Sequence, residues 1–247
     1  MCTVAFVPTA RGGYLLAHNR DERRSRPRGL PPRRFLRDKI AVLAPRDPEG
    51  GGTWIAVNAC GITLCILNAE EKNPGRLPEQ PRSRGLIVWD HLAARSLNEL
   101  RSRFHPAVGD LSDVRAFHVV AVEPGSSRRP ARVARVRWDG VQVRWDDRET
   151  AALFVSSGVD PQGALHDRRA SWGRLLRARS QPDVESLSNW MTSHEPKRGA
   201  TSVCVHRRGV ATVCRTIISA DGANIAMHYK AGPPCDPSAS ESRHRFA

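Results

Sequence analysis

Lysine is nearly absent from this chain. Only 4 of its 39 basic residues are lysine, and the remainder are arginine. A net charge of +14 would suit nucleic acid, an anionic membrane or acidic ligands. The arginines, however, spread along the whole chain, with one dense patch at 20–37 (RDERRSRPRGLPPRRFLR). No RRM-like, zinc-finger or helix-turn-helix signature accompanies the patch, so nucleic acid is not the expected partner. Cys-x-x-Cys pairs are absent as well. The six cysteines, at 2, 60, 65, 204, 214 and 235, lack the tight pairing of zinc sites. They are expected to be small buried hydrophobes, with no metal centre and no resident cofactor. Long apolar runs are also missing: none approaches the roughly 18 residues that a membrane-spanning helix needs. The initial CTVAFVP is too short for a signal peptide and follows no basic segment. The expectation is a protein of the reducing cytoplasm with free thiols. Internal repeats and low-complexity segments are absent too.

The pattern that is present is one of short strands and a few helices. With 247 residues, the chain can bury a core without disulfides, and a single domain over 1–230 is expected, followed by a loose tail over 231–247. CTVAFVP and GGYLLAHN read as a hairpin turned at Gly12-Gly13. Residues 20–39 read as loop, 40–44 as a strand, and PRDPEGGG as a turn cluster. TWIAVNACGITLCILN reads as a second hairpin, 53–58 and 62–67. Helical spacing of apolar residues marks 83–104. Strands follow at 116–122, 131–138, 141–145 and 151–156. A second helical block covers about 165–193, with Asp183 as an N-cap. Strands at 201–206, 210–218 and 224–230 end the pattern. The order implies an α+β fold of antiparallel sheets covered by helices.

Cys2 sits directly behind the initiator methionine. Removal of Met1 would free its α-amine, whose pKa of about 7.7–8.0 leaves much of it neutral near pH 7. An amine on the same residue as the thiol can act as the base, so no histidine is required. Such a centre needs a carboxylate to orient the amine and donors for a developing oxyanion. HNRDE, ending the neighbouring strand, offers Asp21 for the first task. Asn19 offers amide donors, Arg20 can hold a substrate carboxylate, and Glu22 adjoins them. Asn68 ends the GITLCIL strand at the same edge and can donate from its amide.

MC at the start, NRDE at 19–22, GGTW at 51–54 and the following GITLCILN together resemble the NRDE proteins, also called the transport-and-Golgi-organization protein 2 family. SRGLIVWDHL resembles that family's first helix. SHEPKRGATSVCVH at 193–206 and GPPC at 232–235 resemble a bacterial branch. The family is similar to N-terminal nucleophile (Ntn) hydrolases, which implies a four-layer αββα sandwich. By resemblance to the Met-Cys group of those hydrolases, Cys2 is implied as nucleophile, Asp21 as the amine-orienting residue and Asn68 as an oxyanion donor. That group carries an arginine where this chain has His18. Its later Thr-Asn pair falls in FVSSGVD, where this chain has Ser156-Ser157, which leaves Ser157 as the replacement.

Two function classes follow. One is a cysteine Ntn hydrolase that cleaves a linear amide C–N bond, or performs a related acyl transfer, on a small anionic or acyl substrate. The other, implied by the family, is a non-catalytic carrier in which haem or an acyl lipid is the bound ligand. In both, Gly52, Thr53 and Trp54 of the glycine-rich stretch would form the site edge, because no Gly-Lys-Ser/Thr follows to make a phosphate loop. Arg215 is a late cationic candidate for the same site. His194-Glu195 lacks a second histidine at metalloprotease spacing. His206, His228, Cys204 and Cys235 are metal or haem ligands only in principle.

Overall fold

The computed structural model describes residues 2–70, 77–104 and 110–246. The fate of Met1 lies outside them. Among the described residues there are fourteen strands and four α-helices. They run β1 (Cys2–Pro8), β2 (Tyr14–Arg23), β3 (Leu30–Arg37), β4 (Ile40–Arg46), β5 (Ile55–Asn58), β6 (Thr63–Asn68), α1 (Arg84–Asp90), α2 (Leu97–Arg103), β7 (Phe117–Glu123), β8 (Arg132–Trp138), β9 (Val143–Arg148), β10 (Ala152–Ser156), α3 (Pro161–Ala178), α4 (Val184–Met191), β11 (His206–Arg207), β12 (Val210–Asp221), β13 (Asn224–Ala231) and β14 (Glu241–Arg245). One sheet has the order β10-β1-β2-β12-β13-β14, with β11 beside β12; the other has the order β3-β4-β5-β6-β7-β8-β9. Every pairing within the two sheets is antiparallel.

Alternation along each strand decides which side chain faces which layer. On β1, Val4 and Phe6 enter the main core between the sheets, whereas Ala5 and Val7 join a second cluster with Trp172, Leu187 and Trp190 of α3 and α4. On β2, Leu16 faces inward, and Leu15 and Ala17 face those helices. On the other sheet, Ile87 and Val88 of α1 and Leu97 and Leu100 of α2 continue the main core. The result is helices, sheet, sheet, helices, as the resemblance implied.

Several polar contacts fix this stacking. Tyr14 donates from its hydroxyl to Gly61 O, and it also bonds Thr63 Oγ1, each at 2.6 Å. This pins the two sheets at the hairpin end of β1–β2, opposite Cys2. Asn58 holds the β5–β6 turn by accepting from the Cys60 and Ile62 amides. Its amide group also donates to Leu92 O and Ala94 O beyond α1. Gly61 completes that turn at φ 79°, in the left-handed region that favours glycine.

Several sequence expectations need correction. Residues 20–39, read as loop, extend β2 to Arg23 and form β3. The arginine and proline content misled because β3 is an edge strand, where exposed charge and proline are tolerated. The helical stretch 83–104 is two short helices separated at 91–96. The strand expected at 201–206 is reduced to His206–Arg207. The tail, expected to be loose, contributes β14, which pairs with β13 from Ala226↔Arg245 to Lys230↔Glu241. Asp183 caps α4 as expected, its carboxylate accepting from the Ser186 amide at 2.7 Å.

Candidate active site

Cys2 opens β1 at the end of the sandwich away from Tyr14. It lies opposite Arg20 of β2 and Ser156 of β10 and is 5% exposed. Its backbone nitrogen donates to Ser156 Oγ at 3.0 Å. Burial pushes the Cys2 thiol up, while the Asp21 backbone amide and the Arg20 charge pull against that rise. The thiol therefore needs a base to become a thiolate at neutral pH.

The parity that turns Cys2 inward turns Thr3 toward α3. Asn19 and Arg215 stand opposite Thr3 in the same row, and so they also face the helices. Asn19 donates both amide protons outward, to Met191 O at 2.9 Å and Val203 O at 3.0 Å. Arg215 is ion-paired with Glu241 and donates to Ser188 O. Neither lines the cavity at Cys2, because strand alternation turns both toward the helices.

Asp21 shares the outward face, yet it lies at the strand end where the cavity opens. A bulge in β12 between Thr212 and Cys214 resets the alternation. Thr212 then stands opposite Asp21 and donates to its Oδ1 at 2.6 Å. Arg168 Nη2 lies 3.7 Å from Asp21 Oδ2, with both side chains at most 1% exposed. Burial pushes the Asp21 carboxyl up, and the Arg168 charge and the Thr212 hydrogen bond oppose it. Arg168 also donates to Thr3 Oγ1 at 2.8 Å, to Cys2 O at 3.4 Å and to the carbonyls of residues 200–202. One buried guanidinium thus binds the first strand, the Asp21 carboxylate and the loop before β11.

In front of Cys2 is a cavity of about 580 Å³. Asp21, Arg20, Glu22, Thr53, Trp54 and Asn68 all line it with Cys2. Arg20 stacks over Trp54, its Cζ 4.1 Å from the ring centroid. It also meets Asp47 at 3.3 Å and Glu22 at 3.6 Å. Burial alone would raise the Asp47 carboxyl, but the Arg26 hydrogen bond and the Arg20 charge hold it below its ordinary value. Gly52 explains the glycine-rich edge: a Cβ there would fall 2.2 Å from the Gly85 carbonyl carbon. The Thr53 amide donates to Gly85 O at 3.1 Å, so the GGTW stretch is fastened to α1. Counting described residues only, seven arginines and four carboxylates line the cavity, which leaves it cationic.

Ser157 accepts from the Val159 and Asp160 amides in the turn before α3, and Gly158 forms the wall there. The residue that meets Cys2 is its neighbour Ser156. Sequence reasoning also missed Arg168, Thr212 and Asp47. An arginine within a helix, a threonine in a strand and an aspartate in a turn carry no local sign of convergence. His18, where the similar hydrolases have arginine, is buried between the sheets, and neither ring nitrogen has a hydrogen-bond partner among the described residues. Burial, reinforced by Arg20, pushes it down to about 3, so it is a neutral core residue and not a base.

Two antiparallel sheets between helical layers, with a cysteine opening the first strand at a cavity, define the N-terminal-nucleophile class of fold. Solved structures agree. A Caenorhabditis elegans N-acylethanolamine-hydrolyzing acid amidase ortholog aligns over 100% of both chains with TM-score 0.56 and 10% identity. The C2A mutant of the conjugated bile acid hydrolase from Clostridium perfringens aligns over 99% of this chain and 96% of its own, with TM-score 0.53 and 9% identity. At such identities the likeness concerns the fold alone. The family described as Transport and Golgi organisation 2 matches residues 1–145, and the chain belongs to it. The Drosophila melanogaster Transport and Golgi organization protein 2 is 26% identical over 203 residues, which cover 76% of this chain and 69% of that protein. Among the described residues no helix is long and apolar enough to cross a membrane.

Proposed function

We propose that the protein is a cysteine N-terminal nucleophile hydrolase acting on a linear amide C–N bond, or an acyl-transferase of the same chemistry, on anionic or acyl substrates. The observation that carries this reading is Cys2 at the mouth of an arginine-rich cavity, with its nitrogen held by Ser156 and the buried Asp21 carboxylate lining the same cavity. The fold shared with an acid amidase and a bile acid hydrolase supports it.

The chemistry requires Met1 to be removed. The Cys2 α-amine then takes the thiol proton as sulfur bonds to the amide carbonyl carbon. Asp21 orients the resulting ammonium, and Asn68 donates to the oxyanion. The ammonium returns its proton to the departing nitrogen as the C–N bond breaks, leaving a thioester and a free amine. Water, deprotonated by the same amine, cleaves the thioester to a carboxylic acid and restores the thiol. Arg20, braced by Trp54 and Asp47, binds the substrate's anionic group.

The test is intact-mass analysis after incubation with a panel of N-acyl amides that carry a carboxylate. The wild-type chain should lack Met1, gain one acyl group mapping to Cys2, and release the amine. Cys2→Ala should also lose Met1 but neither gain the acyl group nor release the amine, while its circular dichroism is unchanged. A wild-type chain that keeps Met1, or forms no thioester with any member, overturns the hydrolase reading.

The cationic surplus of the cavity also favours a second reading, a carrier of haem or acyl lipid. Titration with haem and with acyl-CoA separates the two. Low-micromolar binding that persists in Cys2→Ala without turnover supports the carrier, and failure of both ligands to bind removes it.

A further inference from the structure

We infer that His194, Cys204, His206 and Cys235 form a four-ligand site for a soft or borderline divalent cation, zinc foremost. From sequence, Cys204, His206 and Cys235 are ligands only in principle, because they form no closely spaced cysteine pair. Tertiary structure brings them together: one ligand atom from each residue lies within 4.8 Å of all the others. His206 Nε2 is 3.4 Å from Cys204 Sγ and 3.2 Å from Cys235 Sγ. Ligands on a tetrahedral zinc ion, at about 2.0–2.3 Å from the metal, stand roughly 3.3–3.8 Å apart. The two His206–sulfur spacings are close to those edges, and the remaining ligand atoms lie within 4.8 Å.

Three chain segments supply the ligands, and the backbone locks each one in place. His194 follows α4, where the Ser193 carbonyl accepts from the Cys204 amide at 2.9 Å. Cys204 lies in the bend just before β11 and His206 opens that strand, and their side chains converge with Sγ and Nε2 3.4 Å apart. The His206 amide donates to Gly199 O at 3.1 Å. Cys235 lies in the GPPC turn after β13, which is tied back when the Gly232 amide donates to Val213 O at 2.9 Å. His194 Nε2 is buried and has no hydrogen-bond partner among the described residues. Its ring packs edge-on to His206, with centroids 5.0 Å apart.

The donor set selects the ion. Two sulfurs and two imidazoles, with no carboxylate in the cluster, favour zinc over calcium or magnesium. Four protein ligands leave no open position, which is the pattern of a structural ion rather than a catalytic one. Binding requires both thiols to release their protons to solvent. Arg198 now contacts His206 Nδ1 at 3.2 Å; metal on Nε2 puts the ring proton on Nδ1, and this exposed side chain swings away. The site adjoins the 200–202 carbonyls that hold Arg168, and the Val205 amide donates to Thr212 Oγ1 at 2.8 Å. A bound ion would therefore brace the segment behind Asp21.

The full-length protein would be purified from zinc-supplemented cells for elemental analysis, then stripped with chelator and titrated with Co²⁺ in the absorption spectrometer. Wild type and Cys60→Ser, which alters an exposed cysteine, should carry one zinc per chain. Both should develop the thiolate-to-cobalt bands of a tetrahedral site. Cys235→Ser and His194→Gln should lose at least tenfold in Co²⁺ affinity. The wild-type titration needs no substitution, so a variant that fails to fold does not decide the outcome. Wild-type protein that binds neither metal overturns the proposal. So does a mass deficit of two hydrogens that maps to a Cys204–Cys235 disulfide, or zinc content unchanged in the variants.

Discussion

Thr212 donates its hydroxyl proton to Asp21 Oδ1 at 2.6 Å across 191 positions of chain. The contact exists because one bulge in β12 reverses the alternation just before Cys214. Without it, Thr212 would point between the sheets and the carboxylate would lose a donor. Thr212→Val keeps the shape and removes both the donor to Asp21 and the acceptor of the Val205 amide. It should cost about 1–3 kcal/mol, read as a lower urea midpoint at unchanged slope. An unchanged midpoint would mean that this hydroxyl is not what satisfies Asp21.

Arg168 pairs with Asp21 as a cation, Nη2 lying 3.7 Å from Oδ2. It also satisfies carbonyls at Cys2, Ala200, Thr201 and Ser202. Arg168→Met should destabilise the fold by about 3–5 kcal/mol, the usual cost of stranding a buried charge. Thermal and chemical unfolding would measure it. A loss below about 1 kcal/mol, the size of a surface pair, would contradict this account.

His18 gives the fold an acid-sensitive limb. Its folded pKa is pushed from 6.5 to about 3 by burial and by Arg20. Between those values the unfolded chain binds the proton and the folded chain does not. Stability therefore rises with pH across that window and falls as pH drops, with a slope approaching about 1.4 kcal/mol per pH unit. His118, pushed down to about 4 by burial and by Arg135 and Arg137, adds to the same limb. His18→Gln should flatten the limb while His118 keeps part of it. Denaturant midpoints measured from pH 7 to pH 4 provide the check, and identical pH slopes in the two proteins would refute the assignment.

Arg20 is the guanidinium held between Trp54 and Asp47. Arg20→Met keeps much of the packing on Trp54 and removes the charge. Affinity for carboxylate-bearing acyl ligands should fall roughly tenfold, the loss of about 1.4 kcal/mol, while neutral amides of the same acyl chain bind as before. Calorimetric titration of both ligand types gives the comparison. An equal loss for both would assign Arg20 to packing and not to anion binding.

The sequence by itself did not show β3 or β14; it determined the β1–β2 and β5–β6 hairpins, most of the later strands, the Asp183 cap, and the placing of Cys2, Arg20, Asp21, Glu22 and Asn68 at one edge. These are local signals: alternation, turn residues and caps act within a few positions. Tertiary structure alone decided which of the NRDE side chains face the cavity. Pleat parity sends Arg20 in and Asn19 out, and the β12 bulge brings Thr212 to Asp21. It also decided that Ser156, not Ser157, meets Cys2, that Arg168 reaches the first strand, and that two histidines and two cysteines from three segments converge. Register between strands, and the packing of a helix on a sheet, arise from long-range burial and backbone pairing, which no window of sequence contains.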